Sequence, residues 1–287
     1  MIVITDSGST KCDWIAIDDH GVQLFEKVRT KGLNPAILTS GELMGRIRES
    51  DMLMSYKDEV EELYFYGAGC GTEGPALALE QVLKKFFTNA KVVVAEDTLA
   101  AIYATTNGNE PAVVCILGTG SNCTYYDGEK AIQRVKSLGY ILMDDASGNY
   151  FGKQLLRDYA FKLMPSHLRV AFESKYQLDS DFIKYNIYKQ PNPNAYLAQF
   201  AEFMFLQKDD PYVSNLIKEG IRLFTKTMIY QFKEEIKTVP VHFVGSIAYL
   251  SQPEIKEVAK EMGFTLGSFV KRPIEGLVAY HAKHIEN

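Results

Sequence analysis

The chain has 287 residues, about twice the usual domain length, which predicts two domains or one large one. Hydrophobic residues make up 46% and charged residues 23%, a globular composition that excludes a disordered chain. The formal charge of −5 argues against a broad basic surface for nucleic acid. No apolar run approaches the roughly 20 residues that span a bilayer, no signal peptide is visible, and the 4 cysteines form no CxxC pair. We therefore expect a soluble, cytoplasmic protein that binds neither membrane nor nucleic acid.

The first third of the chain predicts strands followed by alternating helices and strands. Three successive antiparallel strands are expected over residues 2–30, because apolar runs flank a turn of small polar residues and an Asp-Asp-His-Gly turn. The elements expected next are a helix over 41–53, a strand over 62–67, a helix over 75–87 with Pro75 at its first position, a strand over 91–97 and a helix over 98–105.

The pattern then begins again. Residues 112–135 repeat the order strand, Gly/Ser/Thr turn, strand, Asp-Gly turn and strand. Shifting the first copy by 111 residues aligns residues 8–12 with residues 119–123. The remaining elements are expected to be a long helical stretch over 148–236, a strand over 241–248, a helix over 253–262, a strand over 264–270 and a helix from Pro273. The sequence predicts two α/β halves of similar plan, the second enlarged by helices.

The two corresponding turns are candidate phosphate-binding segments. Small residues there let backbone N–H groups approach an anion, and a hydroxyl and a lysine can add to the attraction. The turn residues are Gly8, Ser9, Thr10 and Lys11 in the first half, and Gly118, Thr119, Gly120 and Ser121 in the second. Neither turn is a Walker A loop, and ordinary hairpin turns are the alternative. Two such turns in matching positions favour a polyphosphate bound from both sides.

Several polar side chains are candidates for chemistry. Asp97 follows an apolar strand, where a carboxylate can accept a proton from an attacking hydroxyl; a helix cap is the alternative, and Glu96 is the competing carboxylate. Asp144 and Asp145 precede a long helix, so they either cap it or bind substrate hydroxyls or metal-bound water. Asn34 is a polar contact or an ordinary turn residue.

A glycine motif offers a different interpretation. Gly69, Gly71 and Gly74 form a G-x-G-x-x-G segment after a predicted strand, with acidic residues about 20 positions further on, as in a dinucleotide-binding fold. The hairpins that precede this segment argue against that fold. His281 and His284 have no evident third metal ligand, and the aromatic residues within 196–232 have helical spacing typical of a core.

Taken together, DSGST at the start, AED before TLAA, LGTGSN, DDASG and VGSIA resemble the actin-like ATPase superfold. Within it, the chain is similar to the BadF/BadG/BcrA/BcrD ATPase family, in its N-acetylglucosamine kinase-like branch, from residue 2 to about residue 280. The resemblance implies an α/β fold of two RNase H-like domains, 1–108 and 109–287, with ATP in an interdomain cleft, a helical insertion in the second domain, and the last helix packing back on the first.

The resemblance also implies roles for individual residues. Asp6 would hold Mg²⁺ largely through water, and Asp97 would be the catalytic base. The phosphates of ATP would contact Gly8, Ser9, Thr10, Lys11, Gly118, Thr119, Gly120 and Ser121; the adenosine would contact Gly245 and Ser246; the sugar would contact Asn34, Asp97 and Asp144. A homodimer is a further expectation. The chain departs from the family pattern where Ser7, Ser9, Met143 and Ala146 stand in place of glycines.

The expected activity is phosphorylation of an N-acetylated amino sugar by ATP, with N-acetylglucosamine at O6 as the first substrate and N-acetylmuramate as the alternative. Two other classes of function remain open. One is an ATPase activator of a 2-hydroxyacyl-CoA dehydratase with a bridging iron–sulfur cluster, although the cluster cysteines do not map convincingly onto Cys70 or Cys115. The other is a nucleotide-binding module without catalysis.

Overall fold

A computed structural model of the chain describes residues 1–8, 10–106 and 108–285. The chain forms two compact units, each with its own five-stranded sheet. Unit 1 consists of Met1–Pro111, Tyr126–Ala131 and Arg272–Asn287, and unit 2 consists of Ala112–Tyr125 and Ile132–Lys271.

The sheet of unit 1 has the order β3-β2-β1-β4-β5. Its strands are β1 (Ile2–Ser7), β2 (Lys11–Ile17), β3 (Val28–Lys31), β4 (Glu62–Gly67) and β5 (Lys91–Glu96). β2 is antiparallel to β1 and β3, as the sequence predicts, whereas β4 and β5 run parallel to β1. Because parallel strands end at the same edge, the carboxyl ends of β1, β4 and β5 lie together, and Asp6 and Glu96 are at this edge.

Helices cover both faces of this sheet. They are α1 (Ser40–Arg48), α2 (Asp51–Tyr56), α3 (Glu73–Phe86), α4 (Asp97–Thr106) and α13 (Ile274–Ile285). Alternation along β1 puts Val3 in the core under α1 and α3, and puts Ile4 in a second core with Leu277 of α13. The last helix of the chain therefore packs on the first sheet.

Unit 2 repeats the strand order of unit 1. The strands of this second sheet are β6 (Ala112–Leu117), β7 (Ser121–Tyr126), β8 (Ala131–Ile132), β9 (Val241–Val244) and β10 (Leu266–Val270); the last residue of β7 and the first of β8 are counted with unit 1. Their order is β10-β9-β6-β7-β8, with β9 parallel to both β6 and β10. In both sheets the first strand of the unit is central, with the second and third on one side and the fourth and fifth on the other. The predicted α/β fold of two similar halves is confirmed.

The additional helices of unit 2 enclose a large apolar core, to which Phe172, Phe200, Phe203 and Phe224 contribute. The helices before β9 are α5 (Gly148–Ala160), α6 (Ser166–Lys175), α7 (Ser180–Tyr188), α8 (Pro193–Gln199), α9 (Glu202–Leu206) and α10 (Pro211–Thr227); those after it are α11 (Ser246–Leu250) and α12 (Gln252–Met262). The helical insertion and the core role of its aromatic residues agree with the sequence. No helix among the described residues has the length and apolar character needed to span a membrane.

Several predicted boundaries differ from the structure, and three of the differences have a local cause. The helix expected over 41–53 is two helices, because Ser50 starts α2 by accepting a hydrogen bond from Leu53 N–H. Helix α3 begins at Glu73, two residues before Pro75. The strand expected over 241–248 ends at Val244, because Gly245 turns the chain with a φ of 112° into α11.

Candidate active site

Asp6 lies near the end of β1 beside a carboxylate that is already neutralised. Its partner in the β1–β2 register is Asp13, which is 2% exposed and accepts two hydrogen bonds from the Arg29 guanidinium, at 2.6 and 3.0 Å. Burial, followed by the charge of Asp13, raises the pKa of Asp6 to about 7, and Lys11 opposes the rise. Since Arg29 compensates Asp13, the Asp6 carboxylate keeps an electrostatic cost that a bound cation would relieve.

This donor set fits Mg²⁺ held partly through water. Among the residues that the structure describes, no group of three or more His, Cys, Asp or Glu side chains could enclose a metal ion. Mg²⁺ does not need such a group, because it commonly binds one or two carboxylates, substrate phosphates and several waters. A single carboxylate at Asp6 is consistent with that mode of binding.

The first turn is closed by a hydrogen bond from Gly8 N–H to the Lys11 carbonyl, at 2.9 Å. Partial burial, together with Arg29 and Arg272, lowers the pKa of the Lys11 ammonium. Thr10 and Gly8 are in the turn, while Ser9 lies outside the described residues. The turn therefore brings a lysine next to the Asp6 carboxylate, which attracts it.

Ser7, one of the residues in place of a family glycine, has a structural partner. It is fully buried, and its Oγ accepts a hydrogen bond from Leu33 N–H at 3.0 Å. This bond joins the end of β1 to the loop that carries Asn34. The departure from the glycine-rich pattern thus adds an anchor between two segments of the expected site.

Asn34 adopts a turn conformation in that loop. Its Oδ1 accepts a hydrogen bond from Ala36 N–H at 2.9 Å, and its Nδ2 donates to none of the described residues. Gly69, with a φ of 85°, packs so closely that a Cβ there would overlap Oδ1 of Asn34. A Cβ at Gly71 would lie 2.6 Å from Oε1 of Glu96, whereas Gly74 has open space. The glycine motif therefore serves packing in a mixed sheet, and the dinucleotide interpretation is wrong.

Asp97 is the first residue of α4, directly after β5. Burial, followed by the charges of Glu96 and Asp6, raises the pKa of its carboxyl to about 7, and the Thr98 N–H opposes the rise. Cys70 lies near these acids, and burial raises the pKa of its thiol to about 12, so the thiol stays neutral. A carboxylate poised near neutral pH, among other acids, is suited to accept a proton.

The second turn directs its carbonyl groups into the protein. The Gly118 carbonyl accepts from Gly148 N–H at 2.8 Å, and the Thr119 carbonyl accepts from Asn149 N–H at 3.0 Å. A further bond runs from Gly118 N–H to the Gly120 carbonyl at 2.9 Å. Within the described part of the chain, the N–H groups of Thr119 and Gly120 donate to no partner. The turn thus offers donors, which is the arrangement an anion requires.

Asp144 lies against this second turn. Its Oδ1 accepts from Ser121 N–H at 3.3 Å, and its Oδ2 accepts from Asn149 Nδ2 at 2.9 Å. Burial raises the pKa of Asp144, and these two hydrogen bonds oppose the rise. The helix-cap interpretation of Asp144 and Asp145 is wrong, because Ser147 caps α5 by accepting from the Tyr150 N–H at 3.2 Å.

The backbone around Asp144 is left-handed at two non-glycine residues. Asp144 has a φ of 68° and Ala146 a φ of 57°. Such conformations cost L-residues roughly 1–2 kcal/mol and often occur at functional sites. Ala146 stands where the family pattern has glycine, so the backbone keeps the conformation that glycine favours despite the substitution.

A cavity of about 140 Å³ opens beside Asp144 within unit 2. Its polar walls include Asn122 and Asp145, and its apolar walls include Met143 and Met228. Asp145 Oδ2 accepts a hydrogen bond from the Thr227 hydroxyl at 3.1 Å. Sequence reasoning did not single out Asn122, Thr227 or Asn149, although Asn149 two residues after a serine cap was a visible signal.

Gly245 and Ser246 follow β9 at its carboxyl end, next to β6. Gly245 N–H donates to the Val270 carbonyl at 2.9 Å, and a Cβ at Gly245 would overlap the Leu117 carbonyl. Leu117 immediately precedes the second turn. The expected adenosine segment and the second turn are therefore neighbours within unit 2.

Comparison with solved structures places this geometry in a known class. A protein from Porphyromonas gingivalis, described as a candidate N-acetylglucosamine kinase, is 34% identical over 99% of both chains, with a TM-score of 0.90. A second such candidate, from Chromobacterium violaceum, is 15% identical over 97% of this chain and 98% of its own, with a TM-score of 0.76. A ROK family glucokinase from Streptomyces griseus, solved with glucose and AMPPNP, is 15% identical over 97% of each chain, with a TM-score of 0.66.

The two sheets of equal strand order define the actin-like ATPase fold, the class to which these structures also belong. The chain belongs to the family of sugar kinases that includes the Porphyromonas gingivalis protein. No protein-family profile matches the sequence, and no functionally curated protein matches it.

Proposed function

We propose that the protein is an ATP-dependent kinase that phosphorylates an N-acetylated amino sugar, with N-acetylglucosamine at O6 as its first substrate. The family supports a sugar phosphotransferase, and the P. gingivalis relative supports this sugar. The observation that carries the proposal is the Asp97 carboxyl, whose pKa is raised to about 7 at the carboxyl edge of the first sheet.

Asp97 acts as the general base. Its carboxylate accepts the proton of the sugar hydroxyl while the hydroxyl oxygen bonds to the γ-phosphorus of ATP and ADP leaves. A base with a pKa near the working pH is about half ionised and still basic enough to take the proton. Glu96, by contrast, accepts a hydrogen bond from the Thr98 hydroxyl at 3.1 Å and lies against Gly71.

The remaining groups bind and neutralise phosphate. Asp6 would hold Mg²⁺, whose charge would shield the phosphate oxygens. Lys11 supplies a positive charge, and the N–H groups of Thr119 and Gly120, which donate to none of the described residues, supply donors. Phosphoryl transfer depends mostly on such positioning and charge stabilisation, so a few amides and one lysine suffice.

We assign the sugar to Asn34, Asp97 and Asp144 and the adenosine to Gly245 and Ser246. The cavity beside Asp144 suits a small substituent that has both polar and apolar atoms. An acetamido group is of this kind, because its N–H can donate to a carboxylate such as Asp145 and its methyl group can pack on Met143. This match favours an N-acetylated sugar over a plain hexose.

The test is ADP release coupled to a panel of sugars: glucose, glucosamine, N-acetylglucosamine, N-acetylmannosamine and N-acetylmuramate. We expect N-acetylglucosamine to give the highest kcat/KM, with phosphate found on O6. An Asp97→Asn variant should bind AMPPNP with normal affinity and lose transfer. ATP hydrolysis without sugar dependence in an iron-containing brown protein would instead indicate the electron-transfer activator. ATP binding without turnover on any sugar would indicate a non-catalytic module.

A further inference from the structure

We propose that Asn149 is a positioning residue that holds the second phosphate turn and the Asp144 carboxylate in one arrangement. This inference rests on the proposed function, because it assigns the turn to ATP and the carboxylate to the sugar. Asn149 touches neither ligand in this proposal and acts through groups that do.

Asn149 is fully buried in the first turn of α5 and bonds twice to the same carbonyl. Its backbone N–H donates to the Thr119 oxygen at 3.0 Å, and its Nδ2 donates to that oxygen at 2.7 Å. Holding this carbonyl inward keeps the Thr119–Gly120 peptide group oriented with its N–H outward. The orientation of a phosphate donor is therefore set by one side chain.

The same Nδ2 donates to Asp144 Oδ2 at 2.9 Å. Both partners of the amide group are acceptors, so the nitrogen must face them, and its two hydrogens are both used. The Oδ1 atom is buried and has no hydrogen-bond partner among the residues that the structure describes. A buried acceptor without a partner is costly, and it persists because the amide nitrogen is required where it is.

Asp144 depends on this bond for its geometry. Its backbone is left-handed, its Oδ1 accepts from Ser121 N–H, and a Cβ at Gly120 would lie 2.7 Å from its Oδ2. The carboxylate and the turn thus pack directly against each other, with Asn149 bonded to both. A change at Asn149 should disturb nucleotide and sugar binding together.

Helix capping does not explain the Asn149 side chain. Ser147 already caps α5 through its bond to Tyr150 N–H, and Gly148 N–H is satisfied by the Gly118 carbonyl. The Asn149 amide makes no contact that the helix itself needs. Its bonds go to the turn and to Asp144.

Asn149→Asp is the sharpest test, because it keeps the shape and removes the donor. It also puts a second carboxylate beside Asp144. The matched control is Asn186→Asp on α7, where the Nδ2 of a partly buried asparagine likewise donates to a carbonyl, that of Phe182, at 2.9 Å. Circular dichroism and thermal melting check that both variants fold, and AMPPNP affinity, kcat and both KM values are then measured.

We expect Asn149→Asp to weaken AMPPNP binding and to raise the KM for the sugar, each by about tenfold or more, with the control unchanged. The double variant Asn149→Asp/Asp144→Asn restores a donor and an acceptor between the two positions but leaves the Thr119 carbonyl without its side-chain donor. Its AMPPNP affinity should therefore stay as low as that of Asn149→Asp, whereas a loss of affinity caused only by two facing carboxylates would be reversed. If Asn149→Asp does not fold, Asn149→Ser provides the same comparison.

A folded Asn149→Asp variant with AMPPNP affinity and both KM values within twofold of wild type would overturn the inference. So would a double variant that regains the AMPPNP affinity of wild type. A wild-type protein that binds AMPPNP but phosphorylates no sugar would contradict the proposed function alone, since the nucleotide measurements would still test Asn149.

Discussion

Replacing Asp97 by asparagine should make the protein more stable at pH 8 while it removes sugar phosphorylation. The carboxyl pKa rises from 3.8 to about 7 in the folded chain, through burial and the neighbouring Glu96 and Asp6. At 1.36 kcal/mol per pKa unit, the ionised group costs the folded state at most about 4 kcal/mol. Because the side chain is partly exposed and its neighbours relax, we expect a net gain of about 1–2 kcal/mol for the variant.

The gain should depend on pH with a definite sign. Between about pH 4 and pH 7 the folded protein holds a proton on Asp97 that the unfolded chain has lost, so the wild type loses stability as the pH rises through this window. Asparagine does not titrate, and its oxygen can still accept from the Thr98 N–H. The gain in the free energy of unfolding of the variant over wild type should therefore be, at pH 5, about a third of its value at pH 8.

Urea unfolding at the two pH values measures this difference, and the ADP-coupled assay measures activity. We expect kcat to fall by roughly 10²–10⁴. Asp209→Asn, at an exposed position, is the control and should change stability by less than about 0.5 kcal/mol. Two results would refute the claim that the ionised Asp97 carboxylate destabilises the folded protein. One is an Asp97→Asn variant less stable than wild type at pH 8; the other is a difference in the free energy of unfolding that is the same at both pH values.

Three further changes test other parts of the site. Lys11→Met should raise the KM for ATP by about tenfold and leave the KM for the sugar little changed, because only the phosphate contact is lost. A variant with the same KM for ATP as wild type would contradict this. Gly69→Ala should destabilise the protein by more than about 2 kcal/mol in urea unfolding, since its Cβ would overlap Asn34, whereas Gly74→Ala should be neutral or slightly stabilising. Cys70→Ala should retain most of the kinase activity, because the Cys70 thiol is neutral and has no assigned role in transfer. Metal analysis of the purified wild-type protein should find no iron. Iron in the wild type, together with an inactive Cys70→Ala variant, would support the iron–sulfur alternative.

Local patterns were sufficient to predict the strands and most helices. The run that forms β4 is bounded by the predicted residues 62 and 67, and the repeated hairpin appears as β6 and β7, each starting one residue earlier than the 111-residue offset suggests. These features depend on side-chain alternation and turn residues that are neighbours in sequence. The repeat also predicted that both units would share a plan, which the common strand order bears out.

Features that depend on distant contacts could not be predicted. The strand β9 ends at Val244 because Gly245 meets the Leu117 carbonyl, a contact made only once β6 and β9 pair. The roles of Ser7 and Asn149 likewise depend on partners in other segments, Leu33 and Thr119. A single sequence identifies which residues have suitable chemistry, but the hydrogen-bond partner of each is fixed by tertiary packing.

The net charge of the chain likewise could not predict how phosphate would be bound. A formal charge of −5 excludes a broad basic surface, yet it does not exclude phosphate binding. In the site that we propose, the two turns supply backbone N–H groups and one lysine instead. Phosphate recognition of this kind leaves little trace in the net charge.

The central claim is most directly tested by the initial rate of ADP release with Mg²⁺-ATP in the presence and absence of N-acetylglucosamine, with the product analysed by phosphorus NMR. We expect ADP release to require the sugar, the phosphate to be on O6 of N-acetylglucosamine, and glucose to be a much poorer substrate. ADP release that no amino sugar stimulates would contradict it.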